Sequence, residues 1–166
     1  WFFRYSILFE FIFAIITLVV SIYAFKVYKL TKERSAGLFG LAFLAFSISY
    51  IVQSILNIGI LYELSSNVPV LEKVSQTINL GINALFVHMI LIISGLAILV
   101  TICFKTRDIR ILILLLFVSI VPIFLSLDPL RIFFILSTIY LIFISYNYLK
   151  DCSKKRNYLV TIAFIL

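Results

Sequence analysis

The stretch SISYIVQSILN, residues 47–57, sets several hydrogen-bonding side chains into a strongly apolar background. Tyr50, Gln53, Ser54 and Asn57 are separated by three, one and three positions, so a helix places all four on one face. The positions between them carry Ile, Val and Leu. The stretch therefore predicts a helix in an oily environment whose polar face can turn into a helical bundle.

The whole chain has the composition of an integral membrane protein. Hydrophobic residues make up 64% of its 166 residues and charged residues 13%, and the mean hydropathy is +1.22. This leaves too little polar surface to cover a water-soluble globule of that size. The apolar runs reach the roughly 20 residues that a helix needs to cross about 30 Å of hydrocarbon. The regular alternation of a membrane barrel is absent, which favours helices.

The predicted fold is all-α, a polytopic transmembrane helical bundle with five full spans and the start of a sixth. The predicted helices cover about residues 6–25, 36–61, 77–104, 109–127, 130–149 and 158–166. The last of these holds nine residues, which rise only about 14 Å and cannot cross a bilayer. Because the chain also opens on Trp1, we expect residues 1–166 to form a single transmembrane domain that is a piece of a longer polypeptide.

Most basic residues fall into three short segments, which predicts the orientation. Eleven of the 14 are Lys26, Lys29, Lys32, Arg34, Lys105, Arg107, Arg110, Lys150, Lys154, Lys155 and Arg156, and the other three are Arg4, Lys73 and Arg131. Because Lys and Arg accumulate in cytoplasmic loops, segments 26–35, 105–110 and 150–157 are predicted to be cytoplasmic and the amino terminus external. The net charge of +7 is thus a topology signal. Nucleic acid is not an expected partner, because no binding motif accompanies the dispersed charge.

Polar side chains of several predicted helices fall at similar heights above these basic segments. Glu10 lies 16 residues from Lys26, and His88 lies 17 residues from Lys105, which puts Glu10 about 24 Å above the basic edge. The candidate ligand or proton site in this layer comprises Glu10, Tyr50, Gln53, Asn57, Asn83, His88 and Arg131. The inner halves of the helices are nearly free of polar residues. The pattern predicts a cavity that opens to the outside and is closed below by aliphatic packing.

Two interpretations of this polar layer remain open. Ser, Asn and Gln often tie membrane helices together, at about 0.6 kcal/mol and up to about 2 kcal/mol per bond. The alternative is a site for a ligand or an ion. Glu10 and His88 are harder to explain as ties, because an ionisable group costs about 2.5 kcal/mol or more at the bilayer centre. Their equal height predicts a Glu–His pair that responds to external pH, whereas alone Glu10 would reach headgroups and His88 would be hydrogen-bonded filler.

Catalytic and cofactor chemistry is not indicated, so we do not expect an enzyme. The single His and the two separated Cys residues provide no metal-ligand pattern and no haem ligation by two His residues. The GLFG stretch, residues 37–40, differs from a phosphate-binding loop, and its small residues are typical of close helix approach. No cofactor and no metal site is predicted.

The architecture broadly resembles the multi-helix membrane sensor modules that precede cytoplasmic signalling domains in bacterial and archaeal proteins. The external amino terminus, the short basic inner turns and the unfinished last span carry this resemblance. It implies a sensory or small-ligand-binding module in a prokaryotic plasma membrane, with the polar layer in its outer half. The alternatives are a structural or assembly subunit of a membrane complex, and a transporter or channel for a small solute, an ion or a proton. Expected partners are the lipid bilayer, and other membrane subunits or a cytoplasmic domain beyond Leu166.

Overall fold

Five helices make up the part of the chain that the structure describes. The computed structural model describes residues 2–65, 70–104 and 108–155, with side chains over 5–61, 81–104 and 108–150. The helices are α1 (Phe2–Thr31), α2 (Arg34–Ser65), α3 (Val70–Cys103), α4 (Ile109–Leu125) and α5 (Pro129–Lys155). No strand occurs within the described ranges. The predicted all-α class is confirmed.

Four of these helices are long and apolar enough to cross a membrane. The candidate spans are Tyr5–Thr31, Arg34–Leu61, Gly81–Cys103 and Pro129–Lys150. The remaining predicted span is a shorter apolar helix, Ile109–Leu125. The protein is therefore a helical membrane bundle. The predicted start of a sixth helix, residues 158–166, lies outside the described residues.

The helix ends differ from the predicted ones for two physical reasons. Helices α1, α2, α3 and α5 extend past the apolar segments, because hydropathy detects burial in lipid whereas Lys, Tyr and Glu can continue a helix into a polar layer. Helix α1 ends where Lys32 adopts a left-handed conformation, with φ 58°. Helix α4 ends two residues before the predicted Leu127, because Ser126 is extended and its hydroxyl accepts a hydrogen bond from the N–H of Asp128.

The chain divides into two compact units, Trp1–Gly95 and Leu96–Leu166. The prediction of one domain over 1–166 stays a prediction. In unit 2, the hydroxyls of Ser119 on α4 and Tyr140 on α5 are hydrogen-bonded to each other, and both side chains are buried. The ring of Phe104 packs on that of Phe143, with centroids 5.0 Å apart. Polar and aromatic contacts thus hold the helices of unit 2.

In unit 1, small residues allow α1 and α2 to pack closely as an antiparallel hairpin. Ser21 Oγ donates to the carbonyl oxygen of Gly40 at 2.8 Å, and Ser47 Oγ donates to that of Ala14 at 3.0 Å. Each helix advances seven residues, two turns, between these contacts. Side chain-to-backbone bonds of this kind require short side chains on both helices. The two contacts fix the register of the hairpin.

Helix α3 approaches α2 just as closely at the end of unit 1. A Cβ atom built on Gly95 would lie 2.4 Å from the Phe46 ring and 3.0 Å from the carbonyl oxygen of Ala42. Only glycine permits this approach without displacing its neighbours. Ile93, two residues earlier on α3, is fully buried. The contact brings the preceding turns of α3, which include His88, alongside the polar stretch of α2.

Candidate functional site

Three helices of unit 1 bring five of the predicted site residues into one polar cluster. Helix α1 contributes Glu10, α2 contributes Tyr50, Gln53 and Asn57, and α3 contributes His88. Three further side chains belong to this cluster through their contacts or their place on α2: Phe13, Ser49 and Ser54. Together these eight residues form the polar cluster.

The two carboxylate oxygens of Glu10 are held by Asn57. The Asn57 amide donates to Oε1 and to Oε2, each at 2.9 Å, and Ser6 Oγ donates to Oε1 at 3.4 Å. Helical side chains tilt toward the amino end of their own helix. In an antiparallel hairpin the two tilts are opposite, so Glu10 and Asn57 lean toward each other. This geometry explains how Glu10 and Asn57 can bond although their Cα atoms lie at different heights along the hairpin.

The aromatic ring of Tyr50 connects the Glu10 side of the cluster to His88. Phe13 stacks on Tyr50 with ring centroids 5.8 Å apart, and the His88 ring meets Tyr50 edge to face at 5.7 Å. Ring contacts therefore run from Phe13 on α1 through Tyr50 on α2 to His88 on α3.

His88 is bonded to α2 through Ser49, which is fully buried. Ser49 Oγ lies 2.8 Å from His88 Nδ1 and 3.1 Å from the carbonyl oxygen of His88, and Nδ1 lies 3.4 Å from the carbonyl oxygen of Ser49. All three contacts are satisfied together when Nδ1 carries the proton and the Ser49 hydroxyl donates to the His88 carbonyl. That tautomer leaves Nε2 as a hydrogen-bond acceptor.

The expected direct pair of Glu10 and His88 stays a prediction, because each group has a different hydrogen-bond partner in the structure. Among the described side chains, Glu10 accepts hydrogen bonds from Asn57 and Ser6, and His88 bonds to Ser49. Two side chains at equal height on neighbouring helices can still point away from each other, because the direction in which each leaves its helix also decides whether they meet. Asn57 and Ser49 occupy the positions nearest to the two ionisable groups, so each group has a partner from α2.

Two buried oxygen atoms of the cluster have no hydrogen-bond partner among the described residues. They are Oε1 of Gln53 and Oγ of Ser54. Ser54 is only 2% exposed. Buried polar atoms in proteins nearly always have a partner, and each exception calls for an explanation. Both atoms lie on the face of α2 that also carries Tyr50 and Asn57, one helical turn from each.

Asn83 does not join the cluster, and the place of Arg131 in the site stays a prediction. The Asn83 side chain is exposed on α3. Arg131 is exposed on α5 and belongs to unit 2. Ser49 was missing from the predicted site, although it lies in the same polar stretch of α2, one residue before Tyr50. Its burial opposite a His residue is not visible in the spacing of α2 alone.

The cluster is rich in acceptors and carries one formal negative charge. Its acceptors are the Glu10 carboxylate, Gln53 Oε1, Ser54 Oγ and His88 Nε2, and its donors to Glu10 are neutral. The described residues contain no group of three or more His, Cys, Asp or Glu side chains that could hold a metal ion. A site for a transition metal is therefore not indicated here, whereas a ligand that brings donors or positive charge would complement the cluster.

Comparisons with known proteins returned no match to this chain among protein-family models, curated protein sequences or solved structures.

Proposed function

We propose that this protein is a sensory membrane module that binds a small ligand or a proton in the polar cluster. The observation that carries the proposal is the pair of buried, unpartnered oxygens, Gln53 Oε1 and Ser54 Oγ. A buried polar atom without a partner costs about 1–3 kcal/mol. Side chains that only held helices together would each have a hydrogen-bond partner on a neighbouring helix, so this cost would not arise. A bound ligand with hydrogen-bond donors would remove it.

The orientation and the location belong to the same proposal. The positive-inside bias of segments 26–35, 105–110 and 150–157 supports an external amino terminus. The polar cluster would then lie in the outer half of the membrane and take its ligand from outside the cell. A prokaryotic plasma membrane is the proposed location. The close α1–α2 packing at Ser21 and Gly40 would carry a shift of the cluster toward the cytoplasmic side.

The proposal is tested by the accessibility of Gln53 to water. We replace Gln53 by Cys in a chain whose native cysteines are removed by Cys103→Ser and Cys152→Ser, and add a small impermeant thiol reagent from outside. We expect Gln53→Cys to react. The matched control is Ile93→Cys, at a fully buried apolar position of α3, which should not react.

The same experiment separates the alternatives. An unreactive Gln53→Cys would mean that the cluster is dry packing, and would favour a structural or assembly subunit, a role supported by the interhelical bonds of Asn57 and Ser49. Reaction from both sides of the membrane would favour a transporter or channel. Reaction from the outer side alone is the result that the sensory module requires.

A further inference from the structure

We propose that the ligand of the polar cluster is a monovalent metal cation of the alkali class, held by the Glu10 carboxylate together with the side-chain oxygens of Gln53 and Ser54. This inference rests on the proposed function, since it names the ligand class of that same site. Alkali cations are hard ions, and carboxylate, amide carbonyl and hydroxyl oxygens suit hard ions.

The described surroundings of Glu10 lack positive charge. Among the described side chains, the groups that donate to Glu10 are an amide and a hydroxyl, and both are neutral. Glu10 lies within the candidate span Tyr5–Thr31, where an unbalanced carboxylate is costly. A cation next to this carboxylate would balance its charge without breaking the bonds from Asn57, because each carboxylate oxygen can accept more than one interaction.

The polar face of α2 carries an excess of hydrogen-bond acceptors. Gln53 Oε1 is buried without a donor, and so is Ser54 Oγ. Other hydroxyls of unit 1 behave differently: Ser47 reaches a backbone carbonyl of α1, and Thr17 bonds back to its own helix. Ser54 does neither. Gln53 Oε1 and Ser54 Oγ are therefore both acceptors that no donor or positive charge of the described residues faces.

The acceptors of α2 lie in the same section of the hairpin as Glu10. Ser47 contacts Ala14, and Asn57 contacts Glu10, so Gln53 and Ser54 lie on α2 between two points where it touches α1. The register set by the Ser21–Gly40 and Ser47–Ala14 contacts places Gln53 and Ser54 opposite residues 7–8 of α1, two or three residues before Glu10, whose side chain leans in that direction. The carboxylate and the two orphaned oxygens thus belong to one short section of the hairpin. A cation bound there would bridge α1 and α2 at a section that already packs closely.

The charge of the site favours a monovalent ion. One carboxylate balances one positive charge, whereas sites for divalent cations such as Ca²⁺ draw on several oxygen ligands that commonly include more than one carboxylate. The described residues provide no second acidic side chain in the cluster and no group of three metal-binding residue types. His88 Nε2 is a soft nitrogen ligand by comparison and is not needed for an alkali ion.

The experiment is thermal unfolding of the full chain in detergent or nanodiscs. The chloride salts of sodium, potassium, ammonium and choline are compared at equal ionic strength. We expect sodium or potassium to raise the melting temperature by several degrees in a saturable way, because a ligand that binds only the folded state stabilises it. Choline should have no such effect, because its methyl groups keep the positive charge too far from the oxygen atoms for direct coordination. Equal stabilisation by choline would mean general screening and would overturn the proposal, and stabilisation by ammonium alone would do the same by assigning an N–H donor as the ligand.

Variants assign the effect to the cluster. Glu10→Gln keeps the shape and one of the two bonds from Asn57 but removes the charge, so the ion-dependent rise should disappear. Gln53→Leu leaves the carboxylate in place and should weaken the apparent ion affinity about tenfold, the loss expected for one ligating contact. The matched control, Asp128→Asn, removes an exposed carboxylate outside the cluster and should leave the rise unchanged.

Two results would overturn the cation and leave the proposed function standing. The first is an ion-dependent rise that survives in Glu10→Gln. The second is a melting temperature that does not depend on the salt but is lowered by Arg4→Gln or Lys73→Gln. That result would assign the balancing charge to a basic side chain of the protein. In either case Gln53→Cys would still react from outside if the site is wet. An unreactive Gln53→Cys would instead remove the proposed function, so the two failures are distinguishable.

Discussion

At the scale of single residues, the contact that most needs explaining is the carboxylate of Glu10 inside a membrane span. Two bonds of 2.9 Å from one Asn57 amide are the main compensation that the described side chains provide. Hydrogen bonds to a charged group are worth about 1.5–3 kcal/mol, more than bonds between neutral groups. The Glu10–Asn57 contact is therefore expected to be the strongest polar tie between α1 and α2.

We predict that Asn57→Leu destabilises the protein by about 1–3 kcal/mol, because it leaves the Glu10 carboxylate without its main donor. In a Glu10→Gln background the same substitution should cost less, since no charge is left uncompensated. Thermal or denaturant unfolding of the four proteins of this double-mutant cycle measures the difference.

A second cycle serves as the control, with His88→Gln in place of Asn57→Leu. We expect a smaller coupling there, because Glu10 and His88 bond to different partners. A coupling with His88 that exceeds the coupling with Asn57 would contradict the contacts in the structure and restore the direct Glu–His pair.

At the scale of helices, unit 1 is organised by close contacts at small residues. Ser21 and Gly40 join α1 to α2 between the polar cluster and the basic segment 26–35, and Gly95 joins α3 to α2 through Phe46. Apolar side chains gain little from leaving lipid for another helix, so packing and interhelical hydrogen bonds must hold membrane helices together. Glycine and serine serve both needs, because they let backbones approach and, in serine, add a donor.

We predict that Gly95→Ala destabilises unit 1 by about 1–3 kcal/mol, the usual cost of overpacking. The added Cβ would lie 2.4 Å from the Phe46 ring and 3.0 Å from a backbone oxygen of α2, so the helices must move apart. The matched control is Gly59→Ala, because a Cβ at Gly59 has no atom within 4 Å. There the better helix propensity of alanine should raise stability by up to about 1 kcal/mol. Thermal unfolding in one detergent measures both, and equal effects would contradict the close approach of α2 and α3.

At the scale of the whole molecule, the distribution of charge determines the proposed orientation. Three short segments, 26–35, 105–110 and 150–157, hold most of the basic residues. A bias over several loops is more reliable than any single loop, since the loops must agree for the chain to insert in one way. The orientation in turn decides from which side the polar cluster would be reached.

We predict that single cysteines in the stretch LTKERS, residues 30–35, are protected from an impermeant thiol reagent added outside intact cells. Cysteines in SSNVPV, residues 65–70, should react. Both sets are made in the chain without native cysteines, and permeabilised cells, in which all positions should react, provide the control. The reverse labelling pattern would overturn the orientation and place the polar cluster on the cytoplasmic side.

Local pattern alone was enough to predict the solvent, the helical class and the polar face of α2. Composition required a bilayer, apolar length required spanning helices, and the spacing of Tyr50, Gln53 and Asn57 put them on one side of α2. These properties depend on residues close together in the chain, so they can be predicted without knowledge of the tertiary structure. The helix ends were less predictable, because Lys32 and Ser126 set them through backbone conformation rather than through hydropathy.

Only the tertiary structure decided which polar groups meet. Counting residues along each helix gives only the height of a side chain above the basic segments. By height alone, Glu10 is expected to pair with His88. The contacts also depend on the register of the α1–α2 hairpin and on the direction in which each side chain leaves its helix. These bring Asn57 to Glu10 and Ser49 to His88, and leave Gln53 Oε1 and Ser54 Oγ unpartnered. Register and direction follow from packing between distant parts of the chain, which no local pattern contains.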